Sequence, residues 1–539
     1  MPDASHTQLP RAHRQSLKKG TTTGSSRGVG VSLAVMQLTA LAFHGPAMWV
    51  ARNSPSYPDL GEAALVSLAA LAGAGVLFLA LRMVGVTALR SLAVVSAGLL
   101  VYWNWRSLAL PILGAPAWVS AAVLAGLLIW GAYLQAEKRL FRVAIFSVGV
   151  TLCTVSLIVF ALETLPEENP HIAADGRLRE SAHSTRRPNI YMLILDGYSR
   201  SDVLLDEFGF DNQPFIDELT TSGFDVAPNA TSNYSLTHFS LASILDMRYL
   251  METDTVVTRA DLDVVRTILA GDNAFARFLA EQGYEHIQGS EAWWGTECSP
   301  LMDVCLPNPL LGRTAYELMA ATPLEPWIYD EYGDVGTALA LERFQQISTW
   351  REFQRGFGEQ DPDFVFLHMP LPHPPLYLDS RCAPRLHPYA EGRILNQHPS
   401  VLPEILDWRQ AAFVEQVECA NLVTRSLIEA VPEDAAVVVI SDHGSDSHGQ
   451  LQRNPATLEP VAIWERLSVL AAVRLPADCE DPIPDDLALV NLMPLVTNCL
   501  FGTDIPIQKP RFFMAPNTGT VAPMFEVLDP DQVYSGGSN

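Results

Sequence analysis

The chain has 539 residues, of which 48% are hydrophobic, and its formal net charge is −25 at neutral pH. This length accommodates a membrane anchor followed by one large globular domain. The excess of acidic residues argues against nucleic acid as a partner, because binding to a phosphate backbone requires a basic surface.

Apolar residues are concentrated before residue 163. Five stretches there are long and apolar enough to be predicted as membrane-spanning helices: residues 29–50, 61–84, 86–103, 118–134 and 143–162. A polar tail over residues 1–28 precedes the first stretch and further spans follow it, which is atypical of a cleaved signal peptide. We therefore predict an all-α transmembrane domain over residues 29–162.

Basic residues predict how these helices are oriented. They lie in the tail and beside the second and fourth connections between spans, at Arg82, Arg90, Lys138, Arg139 and Arg142. Because cytoplasmic loops carry the excess of Lys and Arg, the N-terminal tail is expected in the cytoplasm. With five spans in the inner membrane, the chain after residue 162 is then expected to be extracytoplasmic.

Residues 163–188 are polar and contain several helix breakers, so they are predicted to form a linker. From residue 189, short apolar runs alternate with longer helical patterns, which indicates an α/β domain built on a doubly wound sheet. This domain is predicted to extend to residue 515, with a C-terminal tail over residues 516–539.

Three apolar runs of strand type are each followed by a potential metal ligand. They are residues 190–195 with Asp196, residues 364–367 with His368, and residues 437–440 with Asp442 and His443. Open α/β sheets bind ligands at the carboxyl ends of their strands, so one fold would bring these side chains to one edge. For Asp196 taken alone, a helix N-cap is the alternative interpretation.

The segment SNYSLTHFSLASIL places Thr237 near the start of a predicted helix, together with Ser240, which is a weaker substrate-binding candidate. A helix N-terminus attracts anions, since its backbone NH groups are unpaired and the macrodipole is positive there. A threonine hydroxyl in this place could attack a phosphate or sulfate ester if a metal activated it. The alternative is that either residue is a plain helix cap.

The segment AVVVISDHGSDSHG supplies the metal side of the predicted site. Oxygen and imidazole ligands from Asp442 and His443 suit zinc or manganese, and calcium and magnesium remain open. We predict one divalent metal, because no DxxxH pattern for a second full site is evident. His448, in the same loop, is either a weaker substrate-binding candidate or an exposed loop histidine.

The segment FVFLHMPLPHPP contains His368 at a strand end and His373 in a loop rigidified by prolines. A rigid imidazole beside a bound ester could protonate the leaving group or stabilise charge on a non-bridging oxygen, so His373 is a catalytic candidate and His368 a weaker substrate-binding one. The alternative is a proline-rich loop with incidental histidines.

Cysteine usage agrees with an extracytoplasmic domain. One thiol, Cys153, lies in the fifth predicted span, and the others fall in the α/β part: Cys298, Cys305, Cys382, Cys419, Cys479 and Cys499. Disulfides persist in oxidising compartments, and an even number suits three bridges, for which neighbour pairing is the simplest connectivity. Unpaired thiols are the alternative.

In order along the chain, LDGYSRSD, TSNYSLTHFSLAS, LHMPLPHPP and SDHGSDSHG resemble the sulfatase-like family of the alkaline phosphatase superfamily. That family includes lipoteichoic acid synthases and lipid A phosphoethanolamine transferases, and the resemblance covers residues 189–511. It implies an alkaline-phosphatase-like fold in which Asp196, Thr237, Asp442 and His443 surround one metal. Thr237 would be the nucleophile that becomes phosphorylated, and His373 would face the substrate.

The sequence departs from true sulfatases in two ways. They need a cysteine or serine in a CxPSR-type motif for conversion to formylglycine, and this chain has none. They also carry a double acid where Gly197 here follows Asp196.

The expected function is therefore that of a membrane-anchored transferase that moves a phospho-head group from a membrane lipid to a glycan or lipid acceptor through phosphothreonine. A phosphodiesterase or sulfuric ester hydrolase of the same fold is the first alternative. A non-catalytic, membrane-anchored binding protein is an alternative of another class.

Overall fold

The computed structural model describes residues 25–52, 60–108, 117–163, 171–172, 187–251, 255–289, 296, 299, 301–306, 313–324, 362–374, 376, 378–383, 403–448, 457–477, 479, 483–515 and 523–534. The chain forms two compact units. The first comprises Met1–Ala51 and Ala64–Phe160, and the second comprises Arg52–Ala63 and Ala161–Asn539.

The N-terminal region is helical throughout the part that the structure describes. Its helices are α1 (Ser25–Arg52), α2 (Leu60–Met83), α3 (Ala88–Trp103), α4 (Trp105–Leu108), α5 (Ala117–Gln135) and α6 (Arg139–Glu163). All five predicted spans fall on helices. Among the described residues, three segments are long and apolar enough to cross a membrane, namely Leu33–Ala51, Leu60–Met83 and Arg139–Val159. The segments Ala88–Trp103 and Val119–Gln135 are shorter, so five crossings and their orientation stay predictions.

The first unit has apolar side chains on its surface and polar pairs inside it. Many large apolar side chains point outwards, among them Leu79, which is 61% exposed. Polar side chains of this unit pair across helices. Gln37 donates to Ser96 over 2.7 Å, and the ring of His44 lies 3.1 Å from the hydroxyl of Ser156.

The second unit is an α/β domain. In its described residues, the elements in chain order are β1 (Ile190–Leu195), α7 (Ser201–Phe208), α8 (Gln213–Thr221), β2 (Asp225–Val226), α9 (Thr237–Leu245), α10 (Arg259–Leu269), α11 (Ala274–Glu281), β3 (Glu285–Gly289), β4 (Val304–Leu306), α12 (Arg313–Ala320), β5 (Asp363–Met369), α13 (Pro403–Ile428), β6 (Ala436–Ile440), α14 (Pro460–Leu467), β7 (Ala471–Arg474), α15 (Leu492–Phe501), β8 (Phe512–Met514), β9 (Phe525–Val527) and α16 (Pro530–Val533).

The main sheet has the strand order β2-β7-β6-β1-β5-β3-β4. From β4 to β6 neighbouring strands are parallel, whereas β7 is antiparallel to β6 and β2. The central strand β1 has β5 on one side and β6 on the other, and Ile194 is level with both His368 and Ile440. The carboxyl ends of these three strands therefore meet at one edge. Strand β5 continues to Met369, so His368 lies inside the strand rather than behind it.

The sheet is covered on both faces, as its continuous apolar strands predict. Side chains of β1 alternate between two hydrophobic clusters. Ile190, Met192 and Ile194 enter one of them, and Tyr191 and Leu193 enter the other. Because β1 is packed on both faces, its end, which Asp196 directly follows, is held rigidly in place.

Two predicted boundaries differ from the structure. Inside the predicted linker, Ile172 is fully buried in the core, and the backbone NH groups of His171 and Ile172 donate to the Asp261 carboxylate. At the other end, β9 pairs with β8 across the predicted boundary at residue 515. Residues 523–534 therefore belong to the α/β domain, because their backbone hydrogen bonds are satisfied there.

Two disulfides are present in the described residues. Cys382 is bonded to Cys419 and Cys479 to Cys499, which is the pairing of neighbours along the chain. Cys153 is a free thiol. Cys298 lies outside the described residues, so its pairing with Cys305 stays a prediction.

Candidate active site

Asp196 directly follows β1 and is held by its backbone. Its NH donates to the carbonyl of Met369 over 2.8 Å, and its carbonyl accepts from the NH of His373 over 3.0 Å. The next residue, Gly197, has a φ of 76°, a conformation that favours glycine. The N-cap of the following helix α7 is Arg200, so the interpretation of Asp196 as a helix cap is wrong.

Asp442 and His443 follow β6 in a turn that other backbone groups fix. The Oδ1 atom of Asp442 accepts from the NH of Gly197 over 3.2 Å, which links the ends of β1 and β6. Gly444 is required for packing, because a Cβ atom at this position would lie 2.1 Å from the carbonyl oxygen of Glu465. The sharp turn that follows His443 therefore requires glycine at position 444.

Thr237 is the first residue of α9, and its Oγ1 lies 3.0 Å from Nε2 of His443. The N-cap of this helix is Leu236, with no side-chain cap hydrogen bond, so Thr237 is not the cap. Its hydroxyl therefore lies beside the first turn of α9, where backbone NH groups are available to an anion.

Ser240 lies one turn further along α9 and is buried. Its hydroxyl donates to the carbonyl of Asp442 over 2.7 Å, and Ser232 donates to the same carbonyl over 2.6 Å. These contacts support the backbone that carries the metal-ligand candidates. A substrate contact by Ser240 stays a prediction, and its observed contact is one that a positioning residue makes.

The side chains of Asp196, His368, Asp442 and His443, here called the strand-end cluster, converge on one point. Nδ1 of His443 faces the carbonyl of Gly444 at 2.9 Å, and since a carbonyl only accepts, Nδ1 carries the proton and Nε2 a lone pair. The Nε2 atom lies 3.4 Å from Oδ1 of Asp196 and 3.3 Å from Oδ2 of Asp442.

Acceptor atoms that face one another across such distances are suitably placed to share a cation. Two triples each bring their ligand atoms within 4.8 Å of one another: Asp196, His373 and His443, and Asp196, His368 and Asp442. The donor set of carboxylates and imidazoles therefore fits a divalent metal. His368, predicted as a potential metal ligand at a strand end and as a weaker substrate contact, belongs to this set, with Nε2 at 3.8 Å from Oδ2 of Asp196.

Electrostatics agree with this fit. Burial, together with the charge of Asp196, raises the pKa of Asp442 to about 7. Burial also holds the pKa of His443 well below its ordinary value. A cation beside these groups would lower the pKa of Asp442 again and would keep the imidazole of His443 neutral, as metal ligation requires.

His373 lies next to this cluster, with its ring centroid 6.1 Å from that of His443. Its Nδ1 faces the carbonyl of Pro374 and so carries the proton, which leaves Nε2 for a ligand or a proton. His448, by contrast, binds Glu207 over 2.7 Å, and this partner raises the pKa of the imidazole. A substrate contact by His448 stays a prediction.

Two charged residues of α14 were missed from the sequence. Glu465 is fully buried and accepts from the hydroxyl of Ser445 and the NH of Ser447, which fixes the loop after His443. Arg466 is buried and contacts the carbonyls of Ser235 and Gly444. The sequence did contain a signal for them, since two adjacent charged residues stand between Trp464 and Leu467 in a short apolar helix.

The sulfatase family model matches residues 188–464, which is more than half of the chain. The chain belongs to the sulfatase family. The resemblance drawn from the four motifs is thereby confirmed, as is the α/β fold with apolar helices before it. A comparison with curated proteins gave no match.

Several solved structures are similar to this sulfatase-family chain. The zinc complex of the C-terminal periplasmic domain of EptC from Escherichia coli is 12% identical, with a TM-score of 0.41, over 68% of this chain and 98% of that one. Phosphonate monoester hydrolase of Agrobacterium radiobacter is 13% identical, with a TM-score of 0.37, over 61% and 80%. The periplasmic domain of the phosphoethanolamine transferase EptC from Campylobacter jejuni is 12% identical, with a TM-score of 0.35, over 60% and 92%. Values this low say nothing about substrate.

Proposed function

We propose that this sulfatase-family chain is a membrane-anchored transferase that moves a phospho-head group from a membrane lipid to a glycan or lipid acceptor, through a phosphothreonine at Thr237. The observation that carries the proposal is the hydroxyl of Thr237 at the start of α9, 3.0 Å from Nε2 of His443. A threonine so placed, beside two aspartates that fit a cation, has the surroundings of an activated nucleophile.

The residues that would hold the metal are Asp196, Asp442, His443 and Thr237. When bound, a divalent metal supplies the positive charge that activates the hydroxyl and offsets the charge of the phosphoryl group. The first turn of α9 offers backbone NH groups to a non-bridging oxygen. Together these groups position the ester and stabilise developing charge, which is most of what phosphoryl transfer requires.

In the first step the Thr237 hydroxyl gives up its proton to water, and its oxygen forms a bond to phosphorus. The bond from phosphorus to the lipid oxygen breaks, and His373 protonates that leaving oxygen from Nε2. In the second step the acceptor hydroxyl attacks phosphorus and its proton passes to Nε2 of His373. The bond from phosphorus to the Thr237 oxygen breaks, and that oxygen takes a proton back from water. The enzyme is then restored.

The same residues act as a phosphodiesterase when water is the acceptor, and this is the alternative within the enzyme class. Hydrolysis of sulfate esters is less favoured, because the CxPSR-type motif is absent from the sequence. A non-catalytic binding protein is a weaker alternative, since the nucleophile and the candidate ligands are all present.

An extracytoplasmic position of the α/β domain is part of the proposal. The disulfides Cys382–Cys419 and Cys479–Cys499 support it, because such bonds persist in oxidising compartments. The apolar N-terminal helices and the basic residues beside them support a membrane anchor in the predicted orientation. A reporter fused after Tyr534 should therefore be active only outside the cytoplasm, and a cytoplasmic signal would contradict this.

The test of the reaction uses the full chain in detergent with zinc or manganese. It is mixed with phosphatidylethanolamine or phosphatidylglycerol carrying a fluorescent acyl chain. We expect release of fluorescent diacylglycerol and a head-group phosphate adduct on the Thr237 peptide in mass spectrometry. Release of p-nitrophenol from p-nitrophenyl sulfate without any adduct would favour the sulfatase alternative, and no turnover on any substrate would favour a binding protein.

A further inference from the structure

Arg466, near the end of α14, lies between the two segments that present Thr237 and His443. Its Nε donates to the carbonyl of Ser235 over 2.9 Å, and its Nη1 donates to the carbonyl of Gly444 over 2.8 Å. The side chain is only 3% exposed. The planar guanidinium group of Arg466 thus connects Ser235, two residues before the proposed nucleophile Thr237, with Gly444, which directly follows the proposed metal ligand His443.

The backbone strengthens the same connection. The NH of Gly444 donates to the carbonyl of Arg466 over 2.7 Å, so these two residues are joined in both directions. Ser235 is held equally firmly, because its NH donates to Phe513 and its hydroxyl accepts from the NH of Ala515. Neither segment can move without breaking a buried hydrogen bond, which is costly.

The charge of Arg466 has no direct carboxylate partner among the described residues, since both of its side-chain hydrogen bonds go to carbonyls. An arginine stays protonated in proteins, so a full positive charge lies buried here. The nearby carboxylates of Asp446, Asp442 and Asp196 interact with it electrostatically, and that of Asp446 does so most strongly. A purely structural bridge between two carbonyls would not require a charge, and burying one is expensive.

We propose that Arg466 is a positioning residue of the active site: it fixes the distance between Thr237 and His443, and its fixed charge offsets the two aspartates of the strand-end cluster. This inference rests on the proposed function of Thr237 as nucleophile. Lysine cannot replace Arg466, because a single ammonium group lacks the planar fork that reaches two carbonyls.

The test compares Arg466→Lys with the matched control Arg474→Lys in the full chain. Arg474 lies on β7, contacts the carbonyl of Pro432 and the ring of Phe224, and is not part of the candidate site. Hydrolysis of bis(p-nitrophenyl) phosphate gives kcat and KM, titration with a chelating dye gives zinc affinity, and thermal melting reports folding.

For Arg466→Lys we expect kcat at saturating zinc to fall by about 10- to 100-fold with KM changed by less than about 3-fold. Zinc affinity should change by less than about 3-fold, because the ligands and the local charge are retained. Arg466→Met, which removes the charge as well, should in addition weaken zinc affinity or lower kcat further. The control should keep kcat within about 2-fold.

A kcat for Arg466→Lys equal to that of the Arg474→Lys control would overturn the proposal. Normal kcat at saturating zinc with strongly weakened zinc affinity would also overturn it, since Arg466 would then act on the metal alone. If the variants do not fold, the structure of the wild-type chain is determined with bound zinc and vanadate. Loss of the hydrogen bonds from Arg466 to the carbonyls of Ser235 and Gly444 in that structure would contradict the proposal. Absence of activity in the wild type would instead count against the proposed function.

Discussion

Two buried polar clusters of the α/β domain start close together in the chain and differ in kind. Tyr198, Asn212 and Asn421, here called the tyrosine triad, form a closed ring of hydrogen bonds. The hydroxyl of Tyr198 donates to Asn421, Asn421 donates to Asn212, and Asn212 donates back to the hydroxyl. Each side chain satisfies the next, so the protein needs nothing further at this place.

The strand-end cluster is the opposite case. Its oxygens and the Nε2 atom of His443 face one another as acceptors, and burial raises the pKa of Asp442 to about 7. The carboxylates and imidazoles of this cluster fit a divalent cation that the protein itself does not provide. The comparison indicates that a functional site is marked by buried polar groups that do not satisfy one another and are placed to bind a ligand.

The largest expected effect is on catalysis. Thr237→Val removes the hydroxyl at nearly constant shape and should lower kcat by about 10³-fold or more, because no other group can form the phosphoenzyme. Thr237→Ser keeps a hydroxyl and is the matched control, with measurable turnover of bis(p-nitrophenyl) phosphate. If Thr237→Val retained wild-type rates, the nucleophile would have to be sought elsewhere.

Removal of metal should have the next largest effect. Chelation with EDTA should lower the free energy of unfolding by about 3–4 kcal/mol relative to zinc at 100 to 1,000 times its dissociation constant, since the ion binds only the folded chain. Thermal melting of the full chain with and without EDTA measures this. His443→Ala should melt at the same temperature in both conditions, and a wild type indifferent to EDTA would show that the strand-end cluster holds no metal.

The raised pKa of Asp442 predicts a pH dependence of the metal-free chain. A carboxyl that is harder to ionise in the folded than in the unfolded state binds more protons when folded, so stability falls as pH rises from about 4 to about 7. Asp442→Asn removes this loss, and we expect it to melt above the wild type at pH 8 in EDTA while being inactive. Equal melting temperatures at pH 5 and pH 8 in the metal-free wild type would disagree with this explanation.

The smallest effect is expected in the tyrosine triad. Tyr198→Phe leaves Asn212 and Asn421 without the hydroxyl and should cost about 1–3 kcal/mol of stability. Turnover should stay within about 2-fold of the wild type, because the triad serves folding alone. Chemical denaturation and the same phosphodiester assay measure the two quantities. A strong loss of kcat at unchanged stability would remove the distinction between the clusters.

The sequence determined the elements of the site that depend on local pattern. Asp196, Asp442 and His443 were predicted as metal ligands because each lies within three residues of the end of an apolar strand, and parallel strands share one ligand-binding edge. Thr237 was predicted as the nucleophile because a polar turn precedes an apolar helix. The nearest-neighbour pairing of Cys382 with Cys419 was likewise the simplest connectivity.

Only the tertiary structure decided which side chains act together. It turned the hydroxyl of Ser240 towards a backbone carbonyl and brought Arg466 to Ser235 across 231 residues of sequence. No local pattern carries this information, because the partners of a buried charge are set by how helices pack on the sheet. The sequence specified the strand ends, and packing of α9 and α14 against them determined the geometry of the site.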